Sequence, residues 1–462
     1  MKIQSMSAQM NSVNPATGAV IGSYEAHSEE QVKKAAQQAR KAFEEWRSMS
    51  FAARGKVLKN IAKELRRNKE KLANLATDEM GKPIAQSVAE VEKCANTLDY
   101  YAKEGAGFLA PEIIETDARK SFVSYQPLGV VLAIMPWNFP YWQVFRCMAP
   151  ILMGGNTMLL KHASNVSGCA LAIEKIIRDA GAPKNIFRTL LIPSSQVEPL
   201  IANPDVAAVT LTGSTAAGSK VAAAAGAHLK KQVLELGGSD AYVVLGDADL
   251  DLAVKVCVEG RLVNSGQSCV AAKRFVVVKS LRKEFEKRMV EKMKAATYGD
   301  PKDRSNTIGP MARIDLREEL HKQVLTSIEK GAKLLCGGFI PEGEGAFYPP
   351  SVLTNVKKGM PAYDEELFGP VAAIIEAKDE KDALRIANDS IYGLGGAIFS
   401  KDRKRAERLA AEEMEAGNCF VNAQVHSDMR MPFGGVKHSG YGRELGVFGI
   451  REFVNAKSVF IQ

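Results

Sequence analysis

Residues 206–218 read VAAVTLTGSTAAG, an apolar run that turns at Gly213 and Ser214 and continues into a segment rich in alanine. This order predicts a β-strand, a tight turn and an α-helix. The unpaired N–H groups and the dipole at the start of such a helix favour an anion, so a phosphate group could bind there. The turn is neither a G-x-G-x-x-G nor a Walker loop, and an ordinary Ser-capped turn without a ligand is the alternative interpretation.

The same alternation of strand and helix extends along the chain in both directions. Short apolar runs separated by helical or turn segments predict strands at 130–135, 157–160, 189–192 and 206–211. A second series begins after Gly237-Gly238, with strands predicted at 241–245, 274–278 and 371–376. Such alternation is typical of parallel sheets covered by helices, so we predict an α/β protein with two doubly wound parallel-sheet domains.

Two further stretches fit neither sheet. Residues 118–126 and 451–462 both alternate polar with apolar side chains. Edge-like strands of this kind often complete the sheet of another subunit. We therefore expect a third, small sheet and an oligomer. The first hundred residues are mostly helical in pattern, and Ser28 is a plausible N-cap for the first helix.

The composition excludes several classes of protein. Of the 462 residues, 46% are hydrophobic and 25% are charged, as in an ordinary folded chain. The longest nearly apolar stretch, residues 129–142, is interrupted by prolines and falls short of the ~18 residues that a membrane helix needs. Residues 1–17 are polar and carry no secretory or transit pattern. We expect a cytoplasmic protein with no membrane segment.

The net charge of +8 does not predict a nucleic-acid partner. The densest basic stretch, residues 56–71, has apolar residues at helical spacing, which indicates one buried face and one solvated face. Nucleic-acid binding would need a basic face joined to exposed aromatic residues or a recognisable module, and aromatic residues make up only 7% of the chain.

The cysteine and histidine patterns favour neither disulfides nor a metal. The seven cysteines are an odd number at wide spacing, and no C-x-x-C pair occurs. The six histidines form no H-x-x-x-H pair. We therefore expect reduced thiols and no metal site.

One cysteine and one glutamate are candidates for chemistry. Cys269 ends the sequence NSGQSC, among small and polar residues, whereas most other cysteines occupy helical contexts where a buried inert thiol is usual. A thiol is only slightly ionised at pH 7, so a nucleophilic Cys269 needs a lowered pKa or a base. Glu235 lies among apolar residues before two glycines, where a raised pKa would suit a general base.

Five motifs in fixed order now identify a family resemblance. They are PWNFP at 136–140, LELGG at 234–238, GQSC at 266–269, ELFGP at 366–370 and PFGG at 432–435. Together they resemble the NAD(P)-dependent aldehyde dehydrogenase superfamily, over nearly the whole chain. Lys161-His162-Ala163 and the overall length are similar to the bacterial succinate semialdehyde dehydrogenase branch.

The resemblance implies a three-part, aldehyde-dehydrogenase-like architecture. Residues 1–106 and 127–236 would form the cofactor-binding domain, and 237–446 the catalytic domain. Residues 107–126 and 447–462 would form the oligomerisation sheet of a homodimer or homotetramer.

The resemblance also implies roles for individual residues. Cys269 would be the nucleophile and Glu235 the base, while the Asn138 amide and the Cys269 N–H would form the oxyanion hole. NAD or NADP would be bound by Pro136, Trp137, Lys161, Ser164, Gly213, Ser214, Leu236, Glu366 and Phe368. Nothing acidic at Ser164 excludes the 2′-phosphate of NADP, so we expect both cofactors to be used.

The expected substrate is a short aldehyde with a terminal carboxylate, such as succinate semialdehyde. In the branch that the chain resembles, an arginine at the position of Arg146 binds this carboxylate. The branch's second arginine is replaced by Val263, so Ser427 and Arg430 become the further candidates. The alternatives are that Arg146 is a surface or interface residue, that the substrate is another short aldehyde, or that coenzyme A resolves the thioester. A structural relative without turnover is disfavoured by the presence of the three catalytic candidates.

Overall fold

The computed structural model describes residues 9–462, so residues 1–8 of the predicted cofactor segment lie outside the described residues. Its strands are β1 (Gln9–Val13), β2 (Val20–Glu25), β3 (Glu112–Ile113), β4 (Lys120–Pro127), β5 (Val130–Met135), β6 (Thr157–His162), β7 (Phe187–Thr189), β8 (Val206–Thr212), β9 (Lys231–Glu235), β10 (Ala241–Val244), β11 (Arg274–Val278), β12 (Lys333–Cys336), β13 (Ser351–Thr354), β14 (Val371–Ala377), β15 (Tyr392–Gly393), β16 (Gly395–Phe399), β17 (Asn418–Val421), β18 (Val436–Lys437), β19 (Gly440–Tyr441) and β20 (Val454–Ile461).

The α-helices cover both sheets and fill much of the N-terminal region. They are α1 (Glu29–Ser48), α2 (Phe51–Arg67), α3 (Lys69–Met80), α4 (Ile84–Phe108), α5 (Trp142–Met153), α6 (Ser167–Asp179), α7 (Val197–Ala202), α8 (Thr215–Ala227), α9 (Leu250–Leu262), α10 (Arg282–Ala295), α11 (Ile314–Glu329), α12 (Pro361–Asp364), α13 (Glu380–Asn388), α14 (Arg403–Glu412) and α15 (Gly446–Glu452).

Local sequence explains how the helical region begins. Ser28 caps α1 in a capping box, in which its hydroxyl accepts the Gln31 N–H at 3.2 Å and the Gln31 side chain accepts the Ser28 N–H at 2.7 Å. In α2, the apolar positions at helical spacing are buried in the core, while the lysines and arginines of the basic stretch mostly lie on the other face. None of the helices in residues 9–462 is both long and apolar enough to cross a membrane.

The first sheet has the strand order β19-β9-β8-β5-β6-β7, in which β9 to β7 are parallel. Its register places Ile134 opposite both Lys161 and Leu211, with Leu234 opposite Leu211. The carboxyl ends of β9, β8, β5 and β6 therefore lie level at one edge. Ligands of open α/β sheets bind at this edge.

The C-terminal part of the chain returns to this first sheet, because β19 pairs antiparallel with β9 and sets Gly440 opposite Glu235. The expected strand at 189–192 differs from the structure, where β7 ends at Thr189. Leu191 instead accepts a hydrogen bond from the His27 N–H at 2.7 Å, so the chain has left the sheet before Pro193.

The second sheet has the order β12-β13-β14-β11-β10-β16-β17 and is parallel except for β12. A separate antiparallel sheet has the order β20-β4-β3, which joins the two stretches that fit neither parallel sheet. Its eight-residue pairing runs from Val454 opposite Pro127 to Ile461 opposite Lys120. The α/β class predicted from the strand–helix alternation is confirmed.

Candidate active site

The Cys269 loop follows α9 through a left-handed turn. Asn264 and Ser265 have φ of 53° and 55°, and Gly266 has φ of 76°. A Cβ at Gly266 would lie 2.3 Å from the Gly369 carbonyl carbon, so the loop needs glycine both for its backbone conformation and for this close approach. The contact joins two of the sequence motifs, GQSC and ELFGP.

A buried lysine holds the other side of this loop. The Lys273 ammonium donates to the carbonyl oxygens of Cys269 at 2.7 Å, Ser268 at 3.0 Å and Ala271 at 3.2 Å. It also forms an ion pair with Glu366 at 3.3 Å. Lys273 therefore links the loop of the candidate nucleophile to a carboxylate that was predicted to bind cofactor.

The Cys269 side chain is half-buried, and its surroundings affect the pKa of its thiol in opposite directions. Burial raises the pKa of the Cys269 thiol to about 11, whereas the cations of Arg146 and Lys273 favour the thiolate. In residues 9–462 the Cys269 N–H has no hydrogen-bond acceptor, which leaves this donor for a ligand.

Asn138 lies against the same loop. Its Nδ2 donates to the Gln267 carbonyl at 3.1 Å, and its own carbonyl accepts from Asn264 Nδ2 at 2.7 Å. Gln143 on α5 donates to Asn138 Oδ1 at 3.4 Å, which orients the amide. One Nδ2 hydrogen of Asn138 and the Cys269 N–H therefore remain available as donors at this loop.

A carboxylate from α4 fixes the start of helix α5. Glu90 Oε1 accepts the N–H groups of Tyr141 and Trp142, each at 2.8 Å, and the carboxylate is also paired with Lys82. A negative charge at a helix N-terminus is favourable. This contact places the side chains of Trp142, Gln143 and Arg146 relative to the loop 136–140.

Glu235 is buried at the end of β9, with 2% of its surface exposed. Neither of its carboxylate oxygens has a hydrogen-bond partner within residues 9–462. Burial, and then the nearby Glu444, raise the pKa of Glu235 well above that of an ordinary glutamate, while Arg146 opposes them. Glu235 is not among the lining residues of either cavity described below.

Two cavities meet at Cys269. One, of about 410 Å³, lies at the carboxyl edge of the first sheet, and the other, of about 700 Å³, lies on the side of α4, α5 and α9. Of the described residues, Cys269 and Gln143 line both. A group bound in either cavity would therefore approach the same sulfur atom.

The residues of the smaller cavity fit a nicotinamide nucleotide. Trp137 and Phe368 form an edge-to-face aromatic wall with ring centres 5.7 Å apart. A Cβ at Gly237 would lie 2.4 Å from Glu366 Oε2, so this carboxylate packs closely on the glycine, and it can accept ribose hydroxyls. Seven of the predicted cofactor residues line this cavity, namely Pro136, Trp137, Gly213, Ser214, Leu236, Glu366 and Phe368.

Lys161 and Ser164 lie beyond this lining, one strand further along the edge. Lys161 is half-buried at the end of β6, where burial lowers the pKa of its ammonium. Ser164 is exposed and begins a short 3-10 helix. Their position at the same edge is compatible with the distal half of a dinucleotide.

The larger cavity contains Arg146, Val263 and Ser427 in its lining. Arg146 is neither a surface nor an interface residue, because its guanidinium is 2% exposed and forms an ion pair with Glu444. Arg146 Nη2 donates to Thr212 Oγ1 at 3.1 Å, and Nε has no hydrogen-bond partner within the described residues. Ser427 accepts a hydrogen bond from Lys93 Nζ at 2.8 Å.

Arg430 departs from the expectation that it contributes to the substrate site. Its side chain is 74% exposed and forms an ion pair with Asp428 at 2.6 Å, and it is not part of either cavity lining. The short spacing between the two residues makes this local pairing easy. Arg430 therefore contributes to neither cavity in this structure.

The sequence patterns did not identify several residues of the site. They are Lys93, Gln143, Lys273 and Glu444. Lys93 and Gln143 lie in helical patterns that resemble any amphipathic helix. For Lys273 a signal existed, since a lysine four residues after a candidate nucleophile in a small-residue loop can reach back to the loop carbonyls. Within residues 9–462 no cluster of three or more His, Cys, Asp or Glu is arranged to hold a metal ion.

Comparison with known proteins identifies the family of the chain. The model of the aldehyde dehydrogenase family matches residues 2–459. The succinate semialdehyde dehydrogenase [NAD(P)+] Sad of Escherichia coli strain K12 is 48% identical over 97% of each chain. A probable succinate-semialdehyde dehydrogenase [NADP(+)] of Synechocystis is 47% identical over 97% of this chain and 99% of the relative.

A solved structure has the same fold over the whole length. The succinic semialdehyde dehydrogenase of Streptococcus pyogenes, crystallised in complex with NADP+, superposes with a TM-score of 0.96. It is 37% identical, and the match covers 98% of this chain and 99% of that one.

Proposed function

Because the chain belongs to the aldehyde dehydrogenase family, we propose that it oxidises succinate semialdehyde to succinate with NAD or NADP as the hydride acceptor. The observation that carries this proposal is the position of Cys269 between two cavities. One cavity has the residues that suit a nicotinamide nucleotide. The other has a buried arginine and a half-buried lysine in its wall, as an anionic substrate requires.

The first step is addition of the Cys269 thiolate to the aldehyde carbon. Arg146 and Lys273 favour the ionised sulfur against the effect of burial. The carbonyl oxygen becomes negatively charged as the thiohemiacetal forms, and the Asn138 amide and the Cys269 N–H donate to it. Because both donors are held before the substrate arrives, they stabilise this charge without rearrangement.

The chemistry that a nicotinamide supplies when bound is acceptance of the hydride that leaves the thiohemiacetal carbon as the Cys269 thioester forms. Trp137, Glu366 and Phe368 would hold the ring and its ribose beside the sulfur. The Lys273–Glu366 ion pair fixes the Glu366 carboxylate of the smaller cavity relative to the Cys269 loop.

Hydrolysis then completes the reaction. Glu235 has an ionisable carboxylate without a hydrogen-bond donor in the described chain, and its raised pKa suits a general base. It takes a proton from water, the hydroxide adds to the thioester carbon, and the Cys269 thiolate leaves as the acid forms. Coenzyme A could replace this water, but the presence of Glu235 supports hydrolysis.

Arg146 and Ser427 are the candidate contacts for the substrate carboxylate. Arg146 lies in the wall of the larger cavity, where Nη2 donates to Thr212, and Ser427 lies in the same wall. Oxidation rates should be measured for aldehydes with and without a terminal carboxylate, with both cofactors. A clear preference for butanal or propanal over succinate semialdehyde would overturn the proposed substrate.

We also propose a homo-oligomer located in the cytoplasm. The edge strand β20 carries the exposed side chains of Phe460 and Ile461, which would be covered if the β20-β4-β3 sheet paired with another subunit. All seven cysteines are free thiols, as a reducing compartment favours. Light scattering after size exclusion distinguishes a dimer or tetramer from a monomer.

A further inference from the structure

Some charged residues around the larger cavity already have an ionic partner, and others do not. Glu90 is occupied by Lys82 and the start of α5, and the Arg146 guanidinium faces Glu444. The remaining charged residues of the lining are Lys93, Lys255, Glu259 and Lys292, and Lys93 is the most enclosed of them. Lys93 is thus the half-buried charged residue of this lining whose ionic partner has to be identified.

The Lys93 ammonium is held in place by neutral groups. Its Nζ donates to Ser427 Oγ at 2.8 Å and lies 4.1 Å from the centre of the Trp142 ring. No carboxylate of residues 9–462 lies within 4.0 Å of it. An ammonium has three N–H donors, so the group retains capacity for a ligand that enters the cavity.

We propose that the Lys93 ammonium, positioned by Ser427 and the face of Trp142, binds the terminal carboxylate of the aldehyde substrate. This inference rests on the proposed function and adds to it a specificity-determining residue on α4. Lys93 and Cys269 line the same cavity, so an acidic aldehyde can present its two ends to the two residues. The substrate carboxylate supplies the ion-pair partner that Lys93 lacks within 4.0 Å in residues 9–462, where Glu90 and Asp428 act on it only from a greater distance.

The electrostatic setting agrees with this assignment. A half-buried cation without a counterion is unfavourable, and burial followed by the charge of Arg146 lowers the pKa of Lys93 to about 8. An incoming carboxylate opposes these effects, because its negative charge favours the charged lysine. Butanal has no such group and gains nothing from Lys93.

The test uses three variants and two substrates. Lys93→Met keeps the length of the side chain against Trp142, Lys93→Arg keeps the charge, and Lys103→Met removes an exposed lysine of the same helix outside both cavities as the matched control. Initial rates are measured with succinate semialdehyde and with butanal, and thermal unfolding checks that each variant is folded. Lys93→Gln replaces Lys93→Met if the latter does not fold.

We expect Lys93→Met to lower kcat/KM for succinate semialdehyde roughly 10- to 150-fold, mainly through KM, as loss of a hydrogen bond to a charged group does. Values for butanal should change little, Lys93→Arg should retain most of the preference, and Lys103→Met should resemble the unchanged enzyme. Equal losses for both substrates would make Lys93 structural and overturn the proposal.

The outcome also distinguishes this proposal from the proposed function. If the preference for succinate semialdehyde survives in Lys93→Met, the carboxylate is bound elsewhere and this proposal alone fails. If the unchanged enzyme does not prefer succinate semialdehyde to butanal, the proposed substrate fails first and this proposal fails with it.

Discussion

Arg146 and Glu444 form a buried ion pair between α5 and the segment that precedes α15, with 2% and 3% of their side chains exposed. The Arg146 charge also acts on the pKa of Glu235 and of Cys269. This arginine therefore has structural and electrostatic roles in addition to any contact with substrate. Its substitution should have two separable effects.

Arg146→Ala should reduce stability and selectivity together. Removal of one member of a buried ion pair costs about 3–5 kcal/mol, because the other charge is left unpaired. In the double variant Arg146→Met/Glu444→Gln much of the loss in thermal midpoint should be recovered. Per folded enzyme, kcat/KM for succinate semialdehyde should fall roughly 10- to 200-fold with Arg146→Ala, while butanal changes less. Equal loss on both substrates would leave Arg146 with a structural role alone.

Glu235 should control the second half of the reaction and not the first. In Glu235→Gln we expect a burst of reduced cofactor followed by a stall at the thioester. Because the pKa of Glu235 is raised, a decrease in pH should protonate this base sooner than it would an ordinary glutamate. In the unchanged enzyme a decrease in pH should therefore slow hydrolysis of the thioester, as Glu235→Gln does. Stopped-flow absorbance over a range of pH measures both phases. Steady turnover of Glu235→Gln at the normal rate would contradict the assignment.

The Cys269 loop should not tolerate a side chain at Gly266. An alanine there would have an unfavourable positive φ and would contact the Gly369 carbonyl, so Gly266→Ala should cost more than about 2 kcal/mol and reduce activity. Gly226 on α8 has open space where a Cβ would lie, with no heavy atom within 4 Å. Gly226→Ala is therefore the matched control and should be neutral or stabilising by up to about 1 kcal/mol. Thermal unfolding and activity assays compare the two.

Cofactor selectivity should respond to residue 164. Ser164 is exposed at the carboxyl edge of the first sheet, next to the end of β6 that carries Lys161. A carboxylate at this position would repel the 2′-phosphate of NADP and accept a hydrogen bond from the 2′-OH of NAD. Ser164→Glu should therefore raise the ratio of kcat/KM for NAD to that for NADP. An unchanged ratio would place the adenosine ribose elsewhere.

Selectivity for acidic aldehydes should fall as the pH rises above about 8, where Lys93 loses its proton. The charged and titratable groups that affect Lys93 are Arg146 on α5, Glu90 and Cys94 on α4, and Asp428 in the loop before α15. Because a bound carboxylate requires the ammonium form, the ratio of kcat/KM for succinate semialdehyde to that for butanal should decline. Taking the ratio cancels the ionisation of the nucleophile. In Lys93→Arg the decline should be absent over the same range.

The amino-acid sequence by itself determined the local parts of this protein. The run 206–218 forms the strand, turn and helix that its pattern predicts, and Ser28 begins α1 with the capping box that its neighbours allow. Cys269 could be selected among seven cysteines because small and polar residues surround it. These features depend on residues close together in the chain, where period, turn chemistry and capping act directly.

Only the tertiary structure decided how the charges of the site are paired. Lys93 and Ser427 are 334 residues apart in the chain, and Arg146 and Glu444 come from separate segments. In the sequence Lys93 is one more lysine in an amphipathic helix, and Arg430 looks as suitable for an anion as Arg146. Whether a charged side chain faces solvent, a carboxylate or a cavity depends on packing between distant elements. Local sequence patterns do not predict that packing. Here the packing buries Arg146, half-buries Lys93 and leaves Arg430 exposed.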